Sequence, residues 1–312
     1  MNKVKIWFSD FWRPSTLQYI KRNALYKMLS KYYELELTKD KPDFLLYSCF
    51  GYDYLKYNCI RIFYAGENVR PNFSECDYAF SFDYPITERN FRLPLYRLSS
   101  AYERLYEPRN PKKVISEDRR FCCFLASNPD AKERNDFFHL LSTYKKVDAG
   151  GKVFFNLDQP VPRGKEIEWM SNYKFCLAFE NSSYPGYTTE KLLNALIANT
   201  IPVYWGNPLV EKDFNNKAFI NCHSYQDFNE AIKIVKEVDI DNYRYQSFLR
   251  EPYLNGGIEI EECKEAVIIE RFSQIFSKNL HQVSKTIKKI QKLKYPLLIV
   301  KNIVLKKVIK DS

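Results

Sequence analysis

Short apolar runs alternate along this chain with longer segments in which apolar residues recur at helical spacing. Short continuous apolar runs predict buried strands of a parallel sheet, and the helical spacing predicts helices that pack on it. In the first part of the chain, the pattern predicts strands over 4–8, 44–47, 60–64 and 78–82 and a helix over 17–29. A second series predicts strands over 121–126, 175–179, 201–204 and 218–220 and helices over 134–144, 190–197, 225–238 and 261–276.

Two such series indicate an α/β protein with paired nucleotide-binding folds, and 312 residues leave room for two domains. The segment 92–111 is rich in Pro, Arg and Tyr and lacks a clear period, so we place the boundary near its end. The predicted organisation is an N-terminal Rossmann-like domain over 1–112, a second over 113–277, and a tail over 278–312.

Charge sets the tail apart. The net charge is +10, yet residues 278–312 contain ten lysines, no arginine and one acidic residue, Asp311. The body is therefore nearly neutral, which argues against nucleic-acid binding, because phosphate contacts need Lys and Arg spread over a face. On a helical wheel most of the lysines, Lys288 among them, separate from the apolar residues, which predicts a basic amphipathic helical tail. This pattern predicts attachment to an anionic membrane surface; the alternative is packing on the protein's own body or on a second subunit.

Cysteine and histidine usage gives no sign of a metal site. The eight cysteines lie mostly in apolar runs without Cys-x-x-Cys spacing, and the three histidines are scattered. We expect reduced, buried thiols. Met1 leads directly into a strand-like run, and no segment reaches the roughly 20 apolar residues that span a bilayer. These features predict a cytoplasmic protein.

The most specific segment is 179–191, which reads Phe-Glu-Asn-Ser-Ser-Tyr-Pro-Gly-Tyr-Thr-Thr-Glu-Lys: a strand end, a Pro-Gly loop and a helix start. Thr188 or Thr189 suits the N-cap. A helix start offers N–H groups to an anion, and Lys191 adds a positive charge. Glu190 can accept hydrogen bonds from two sugar hydroxyls, so the pair suits a sugar nucleotide. Taken singly, Glu190 could complement the helix dipole and Lys191 could be a solvated charge.

Two further side chains follow predicted strands. Glu67 lies at the carboxyl edge of the first sheet, where α/β proteins bind ligands, and a fixed carboxylate there suits a general base. Arg134 has the planar fork for a bidentate contact to a diphosphate. The alternatives are a turn carboxylate paired with Arg70 for Glu67, and a surface arginine paired with Glu133 or Asp136 for Arg134.

Three blocks resemble the bacterial and animal alpha-1,3/4-fucosyltransferases of glycosyltransferase family 10, which transfer fucose from GDP-fucose to a glycan. They are Gly66-Glu67-Asn68, residues 126–135 with Arg134, and residues 179–191. The resemblance covers about 60–221, is weaker before it and is absent in the tail. It implies the GT-B fold, in which two Rossmann-like domains face a cleft. It implies that the catalytic base is Glu67 and that the donor-binding residues are Arg134, Asn181, Tyr187, Glu190 and Lys191.

The resemblance also implies the reaction. Glu67 would take the proton of the acceptor hydroxyl while Arg134 and Lys191 stabilise charge on the leaving diphosphate, with inversion at the anomeric carbon. GDP-fucose is then a substrate, and no cofactor or essential metal is expected. The family's acceptors imply transfer to N-acetylglucosamine in a glycan such as N-acetyllactosamine, in α1,3 or α1,4 linkage, for a lipopolysaccharide O-chain or another surface glycan. In a bacterium the tail would hold the protein on the inner face of the cytoplasmic membrane.

Two alternatives remain at this point: a GT-B transferase that uses another sugar nucleotide, and a carbohydrate-binding protein without activity. For the acceptor, Asp10 and Trp12 follow the first strand, and we predict that they bind it, because aromatic faces stack on sugars. An Asp-x-Asp spelling occurs at 239–241, outside the matching blocks. Because short motifs match by chance, we interpret it as a solvated helix end.

Overall fold

The protein is described by a computed structural model that covers residues 2–107, 111–278, 288, 295 and 296. The chain divides into two compact units. Unit 1 comprises Met1–Leu98 and Glu261–Ser312, and unit 2 comprises Ser99–Ile260. Each unit is built on a sheet whose neighbouring strands all run parallel, which confirms the predicted α/β class with two parallel-sheet domains.

The sheet of unit 1 has the strand order β2-β1-β3-β4-β5-β6 in the described residues. Its strands are β1 (Asn2–Ser9), β2 (Tyr33–Leu37), β3 (Phe44–Tyr47), β4 (Ile60–Tyr64), β5 (Tyr78–Ser81) and β6 (Asn90–Arg92). Every residue of β3, β4 and β5 is buried, as expected of central strands covered on both faces. The apolar runs predicted these strands and β1. They missed β2 and β6, because β2 contains two glutamates and β6 is only three residues long.

The single helix predicted over 17–29 is wrong. Two helices, α1 (Leu17–Arg22) and α2 (Ala24–Leu29), meet at Asn23. Asn23 has extended backbone angles, φ −63° and ψ 137°, and its side-chain oxygen accepts a hydrogen bond from the Leu25 N–H over 2.9 Å. Asparagine offers the backbone this local alternative to a helical bond, and here the alternative restarts the helix.

Unit 2 has the strand order β11-β10-β9-β7-β8. Its strands are β7 (Arg120–Phe124), β8 (Val147–Ala149), β9 (Tyr173–Phe179), β10 (Ile201–Trp205) and β11 (Ile220–Asn221). Its helices are α3 (Pro111–Ser116), α4 (Lys132–Ser142), α5 (Glu166–Met170), α6 (Glu190–Ile197), α7 (Phe228–Ile240) and α8 (Asn242–Arg250). Its core combines aliphatic and aromatic residues; the ring of Phe137 on α4, for example, lies 4.8 Å from that of Phe179 on β9.

Helix α6 begins where the sequence predicts. Thr189 is its N-cap residue and accepts a hydrogen bond from the Lys191 N–H. The apolar positions that predicted the helix, Leu192, Leu193, Leu196 and Ile197, are all buried. The helix therefore starts at the loop that holds the candidate donor residues, and its burial against the sheet keeps that start in place.

The last described helix, α9 (Glu265–Phe276), belongs to unit 1. The ring of Phe272 stacks on Phe80 at 4.2 Å, and the ring of Phe276 lies 4.8 Å from Phe44. The predicted second domain, 113–277, included this helix, whereas the units divide after Leu98 and after Ile260. Burial of its aromatic face on the first sheet returns the chain to unit 1.

Most of the predicted tail, 278–312, lies outside the described residues. Of its described residues, Lys288 is buried and donates to the Asp77 carboxylate over 2.9 Å and to the Cys59 carbonyl over 2.8 Å. Tyr295 donates to the Asp53 carboxylate over 2.6 Å. Lys288, placed by the helical wheel among the solvated lysines, is thus an internal contact of unit 1. Within the described residues, no helix combines the length and apolar character needed to cross a membrane.

All eight cysteines lie among the described residues. Seven are buried, Cys49 is partly buried, and no two of them form a disulfide. Burial raises the pKa of the Cys59 thiol to about 12 and that of Cys76 to about 12. These thiols pack as small apolar side chains, as the apolar runs around them predict.

Candidate active site

The carboxyl edge of the unit 2 sheet collects polar side chains. Strands β7, β9 and β10 run parallel and end at Phe124, Phe179 and Trp205, so the loops that follow them meet at one edge. Helices α4 and α6 begin at this edge. The five predicted donor-binding residues all belong to these loops and helix starts.

Arg134 is a buried cation without a carboxylate partner among the described residues. It is 1% exposed; Nη1 donates to the Asn181 Oδ1 over 2.9 Å, and Nη2 donates to the Asn128 carbonyl. Its Nε is buried and has no hydrogen-bond partner in the described part of the chain. The alternative of a surface arginine paired with Glu133 or Asp136 is therefore wrong.

The electrostatics of Arg134 favour an anion. Burial lowers the pKa of its guanidinium, yet arginine remains protonated in proteins. A buried charge held only by neutral oxygens is costly, and a bound anion would compensate it. The guanidinium lies at the start of α4, where the helix dipole favours negative charge as well.

Asn181 is oriented by that contact. Because its Oδ1 accepts from Arg134, its amide nitrogen points away from the guanidinium. An amide nitrogen carries two N–H donors, which suit phosphate oxygens. The pair thus presents donors from two elements, α4 and the loop after β9.

Lys191 lies at the start of α6 and is held by Glu180. Its ammonium is 3.1 Å from the Glu180 carboxylate, 3.1 Å from the Thr189 hydroxyl and 3.8 Å from the Glu190 carboxylate. The Lys191 side chain remains 23% exposed. It can therefore contact a ligand at this edge while it keeps its inner partner.

Glu180 is the residue that sequence reasoning missed. It is fully buried directly after β9 and accepts from the Thr189 N–H over 2.7 Å and from the Thr189 hydroxyl over 2.8 Å. Burial raises the pKa of its carboxyl above the usual value. A methyl group at Gly206 would come within 2.4 Å of the Glu180 side chain. The sequence did contain a signal for this role: a carboxylate at the end of an apolar run, with Thr-Thr-Glu-Lys following in the next loop and helix start.

The remaining donor candidates differ in exposure. Glu190 is exposed, whereas Tyr187 is buried at 1% exposure. The loop between them and β9 is held by buried Asn207, whose side-chain oxygen accepts from the Gly186 N–H over 2.7 Å and whose amide donates to Thr188 over 3.1 Å. Gly186 has φ +87°, which favours glycine at this turn.

His223 is a second residue without a predicted role at this edge. Its ring stacks on Trp205 with centroids 5.9 Å apart, and its Nε2 lies 3.2 Å from the Gly206 N–H nitrogen. Burial lowers the pKa of the imidazole, which favours its neutral form. Neutral His223 holds the turn after β10, next to the glycine that makes room for Glu180.

Glu67 lies at the carboxyl edge of the unit 1 sheet. It follows β4 by three residues and is half-buried, and its backbone carbonyl accepts from the Val69 N–H over 2.6 Å. A methyl group at the preceding Gly66 would approach the Ser48 hydroxyl to 2.8 Å, so glycine allows this close packing. Arg70, the partner considered for Glu67, forms an ion pair with Asp83. The position matches the predicted strand end; the catalytic role stays a prediction.

Asp10 and Trp12, the predicted acceptor residues, follow β1 in the same unit. The Asp10 carboxylate accepts from the Asp53 N–H over 2.9 Å and the Tyr54 N–H over 2.7 Å, which gives it a structural role at a short 3-10 helix. Trp12 is 72% exposed and contacts the edge of Phe50. Trp12 thus offers an open aromatic face, and acceptor binding by both remains a prediction.

The Asp-x-Asp spelling has a structural explanation. Asp239 is only 7% exposed and pairs with Lys145 and, over 3.2 Å, with Lys174, so the predicted solvated helix end is wrong for this residue. Asp241 is the N-cap of α8 and accepts from the Tyr243 N–H over 2.9 Å. Across the described residues, no group of three or more His, Cys, Asp or Glu side chains is arranged to hold a metal ion.

Family models match both parts of the chain. Residues 6–99 match the N-terminal domain of alpha-(1,3)-fucosyltransferase FucT, and residues 115–294 match the C-terminal domain of glycosyltransferase family 10 (fucosyltransferase).

Curated relatives and solved structures agree with those models. An alpha-(1,3)-fucosyltransferase from Helicobacter pylori is 34% identical over 291 residues, which covers 81% of this chain and 60% of the relative. A human 3-galactosyl-N-acetylglucosaminide 4-alpha-L-fucosyltransferase is 35% identical over 46% of this chain and 40% of its own length. The chain thus spans at most three-fifths of these relatives. A crystal structure of an alpha1,3-fucosyltransferase has a TM-score of 0.78 and 31% identity, covering 89% of this chain and 91% of that one.

Proposed function

We propose that this chain, which belongs to glycosyltransferase family 10 of the fucosyltransferases, transfers L-fucose from GDP-fucose to a hydroxyl of N-acetylglucosamine in a glycan. The observation that carries the proposal is the pair of cations at the carboxyl edge of unit 2: buried Arg134 bonded to Asn181, and Lys191 held at the start of α6. A similar protein, 30% identical with a TM-score of 0.77, has been crystallised with GDP-fucose, which supports this donor.

The proposed reaction inverts the anomeric centre. Glu67 accepts the proton of the incoming hydroxyl as its oxygen attacks the anomeric carbon. The bond from that carbon to the diphosphate breaks, and the electron pair leaves with GDP. Arg134 and Lys191 stabilise the charge that grows on the diphosphate, which is the largest electrostatic demand of the step. With two cations in this role, we propose that no metal ion or cofactor is required.

The proposed acceptor is a galactosyl-N-acetylglucosamine unit such as N-acetyllactosamine. Human relatives are named both as 3-galactosyl-N-acetylglucosaminide 4-alpha-L-fucosyltransferase and as 4-galactosyl-N-acetylglucosaminide 3-alpha-L-fucosyltransferase, which supports this acceptor class with α1,3 or α1,4 linkage. Trp12, with its exposed ring, is the proposed stacking surface for the acceptor. The product would belong to a lipopolysaccharide O-chain or another surface glycan.

A glycan array with GDP-fucose as donor tests the proposal. We expect transfer to arrayed galactosyl-N-acetylglucosamine glycans and none to arrays lacking N-acetylglucosamine. UDP- and ADP-linked sugars are offered in parallel, and transfer from one of them would identify a transferase of this fold with another donor. Retention of the protein on the array without turnover would identify a carbohydrate-binding protein. Either of those results would replace the proposed activity.

For localisation, we propose a cytoplasmic protein attached to the inner face of the bacterial membrane through the lysines of 278–312. Each lysine near an anionic surface contributes about 1 kcal/mol, so even part of this set gives salt-sensitive binding. Buried Lys288 is not available for it. We expect sedimentation with anionic and not with neutral vesicles, and weaker sedimentation after deletion of 297–312, which leaves the Lys288 and Tyr295 contacts in place. Undiminished binding by the shorter chain would reject a membrane role for 297–312.

A further inference from the structure

We propose that Glu180 is a positioning residue for donor binding, because it holds the Lys191 ammonium at the start of α6 where the diphosphate would bind. The inference rests on the proposed function in one respect: it takes this edge of unit 2 to be the nucleotide site. It adds a residue whose carboxylate acts through Lys191 and does not itself contact the donor.

Hydrogen bonds from Thr189 and Lys191 make Glu180 a clamp between the end of β9 and the start of α6. One carboxylate oxygen accepts from the Thr189 N–H over 2.7 Å, and the other accepts from the Thr189 hydroxyl over 2.8 Å and from the Lys191 ammonium over 3.1 Å. The Thr189 hydroxyl also contacts the Lys191 ammonium at 3.1 Å. The ammonium is therefore held by two oxygens that are themselves fixed.

Fixing the position of the charged group matters more for Lys191 than for Arg134. Lysine carries a point charge on a flexible four-carbon stem, whereas the arginine fork is planar and Arg134 is buried between Asn181 and Asn128. A lysine ordered before the donor arrives loses less conformational freedom on binding, which improves affinity. The clamp leaves the outward side of Lys191 partly exposed, so a phosphate oxygen can become an additional partner.

Glu180 is fully buried, and burial raises the pKa of its carboxyl. Because its folded pKa is raised, the folded state binds the proton more tightly than the unfolded chain does, and the stability from that proton is lost as pH rises through the folded pKa. The ionised carboxylate is stabilised by the Lys191 ammonium and by the two donors of Thr189. Glutamine would accept from the Thr189 N–H equally well but would turn an amide N–H toward the Lys191 ammonium.

The surroundings are built to admit this side chain. Gly206 lies against it, and any Cβ there would come within 2.4 Å of the Glu180 Cγ. The turn that carries Gly206 is held by His223. The clamp therefore includes the ends of two adjacent strands, β9 and β10.

The experiment is a double-mutant cycle on full-length protein, with GDP binding measured by calorimetry. We expect Glu180→Gln to raise the Kd about tenfold and Lys191→Met about thirtyfold, the losses typical of charge-assisted contacts to phosphate. In the Lys191→Met background, Glu180→Gln should change the Kd less than twofold, because it acts through the lysine. The melting temperature of each variant is measured in parallel, so that a loss of fold is distinguished from a loss of binding.

Asp239→Asn is the matched control. It removes a buried carboxylate that pairs with Lys174 at the other end of β9, about 20 Å from Glu180. It should lower the melting temperature and leave the Kd unchanged. A second readout is pH: binding of GDP-fucose, which has no phosphate that titrates near neutrality, should weaken on acidification in the wild type as Glu180 protonates. The Glu180→Gln protein should not show this loss of affinity at low pH.

An unchanged or tighter Kd for GDP in Glu180→Gln would overturn the inference. So would an equal change in Kd in the wild-type and Lys191→Met backgrounds, or a loss of affinity at low pH that the Glu180→Gln protein still shows. Failure of the proposed function gives a different result. The wild type would then bind GDP without transferring fucose, and the double-mutant cycle would still measure the coupling between Glu180 and Lys191. If only UDP or ADP binds, the cycle is run with that nucleotide. If no nucleoside diphosphate binds, both proposals are rejected.

Discussion

Arg134 donates a hydrogen bond from Nη1 to the side-chain oxygen of Asn181 over 2.9 Å, although the two residues are 47 positions apart. The contact joins the start of α4 to the loop after β9 and explains why two separate sequence blocks are needed for one site. The residue immediately before Asn181, Glu180, forms an ion pair with Lys191. Adjacent residues thus hold the two cations proposed to bind the diphosphate.

Replacing Arg134 by Lys should weaken donor binding while preserving charge. Lysine cannot bond Asn181 and Asn128 and also present a fork to phosphate. We expect a loss of about 1.5–3 kcal/mol, or roughly 10- to 150-fold in the Kd for GDP measured by calorimetry. The control is Arg120→Lys, an exposed arginine of the same unit paired with Asp148, which should bind GDP as the wild type does. If Arg134→Lys binds GDP as tightly as the wild type, the guanidinium is not part of the donor site.

Replacing Glu67 by Gln should reduce kcat and leave donor binding intact. The amide cannot accept the hydroxyl proton, and loss of a general base costs about 10²- to 10⁴-fold. Steady-state kinetics with GDP-fucose should show this fall with the KM of the donor changed less than threefold. Glu265→Gln, which breaks a surface pair with Lys31 in the same unit, is the control and should retain kcat. Full activity of Glu67→Gln would assign the base to another residue.

Removal of metal ions should not affect the reaction. Arg134 and Lys191 provide the positive charge that a divalent cation would otherwise bring to the diphosphate. Protein dialysed against EDTA and assayed in chelator should keep its kcat/KM, and added Mg²⁺ or Mn²⁺ should raise it less than twofold. Loss of activity in chelator with recovery on metal addition would contradict a metal-independent mechanism.

The carboxylate of Asp239 should stabilise unit 2 in a pH-dependent way. Burial alone would raise its pKa, but the hydrogen bonds and charges of Lys145 and Lys174 outweigh burial and hold the pKa below its usual value. Stability from such a group is present above the unfolded pKa and is lost as pH falls through the folded pKa.

Asp239→Asn should therefore lower the free energy of unfolding by about 1–2 kcal/mol at pH 7, a modest loss because both lysines stay partly exposed. Thermal unfolding should show a decrease of about 3–6 °C. The difference from the wild type should shrink as pH falls below the usual carboxyl pKa and through the lowered folded pKa, where the wild-type carboxyl protonates. A deficit that persists unchanged in acid would attribute the loss to packing.

Local sequence patterns were sufficient to predict the central strands and helix α6. The apolar run before Glu180 and the capping threonine before Glu190 are short-range signals, so they predict a strand, a loop and a helix start without tertiary information. The same patterns failed at Asn23, where a side-chain hydrogen bond competes with the helix over a single residue. They also missed β2, because two of its five residues are glutamates.

By itself, the sequence determined the two α/β series, the position of the donor motif and the identity of the cations within it, because these depend on neighbours along the chain. Tertiary structure alone decided that Arg134 is buried against Asn181, that Glu180 holds Lys191, and that α9 packs on the first sheet. Burial and ion pairing depend on residues brought together from distant positions. One sequence without that geometry does not reveal which charge is solvated and which is enclosed.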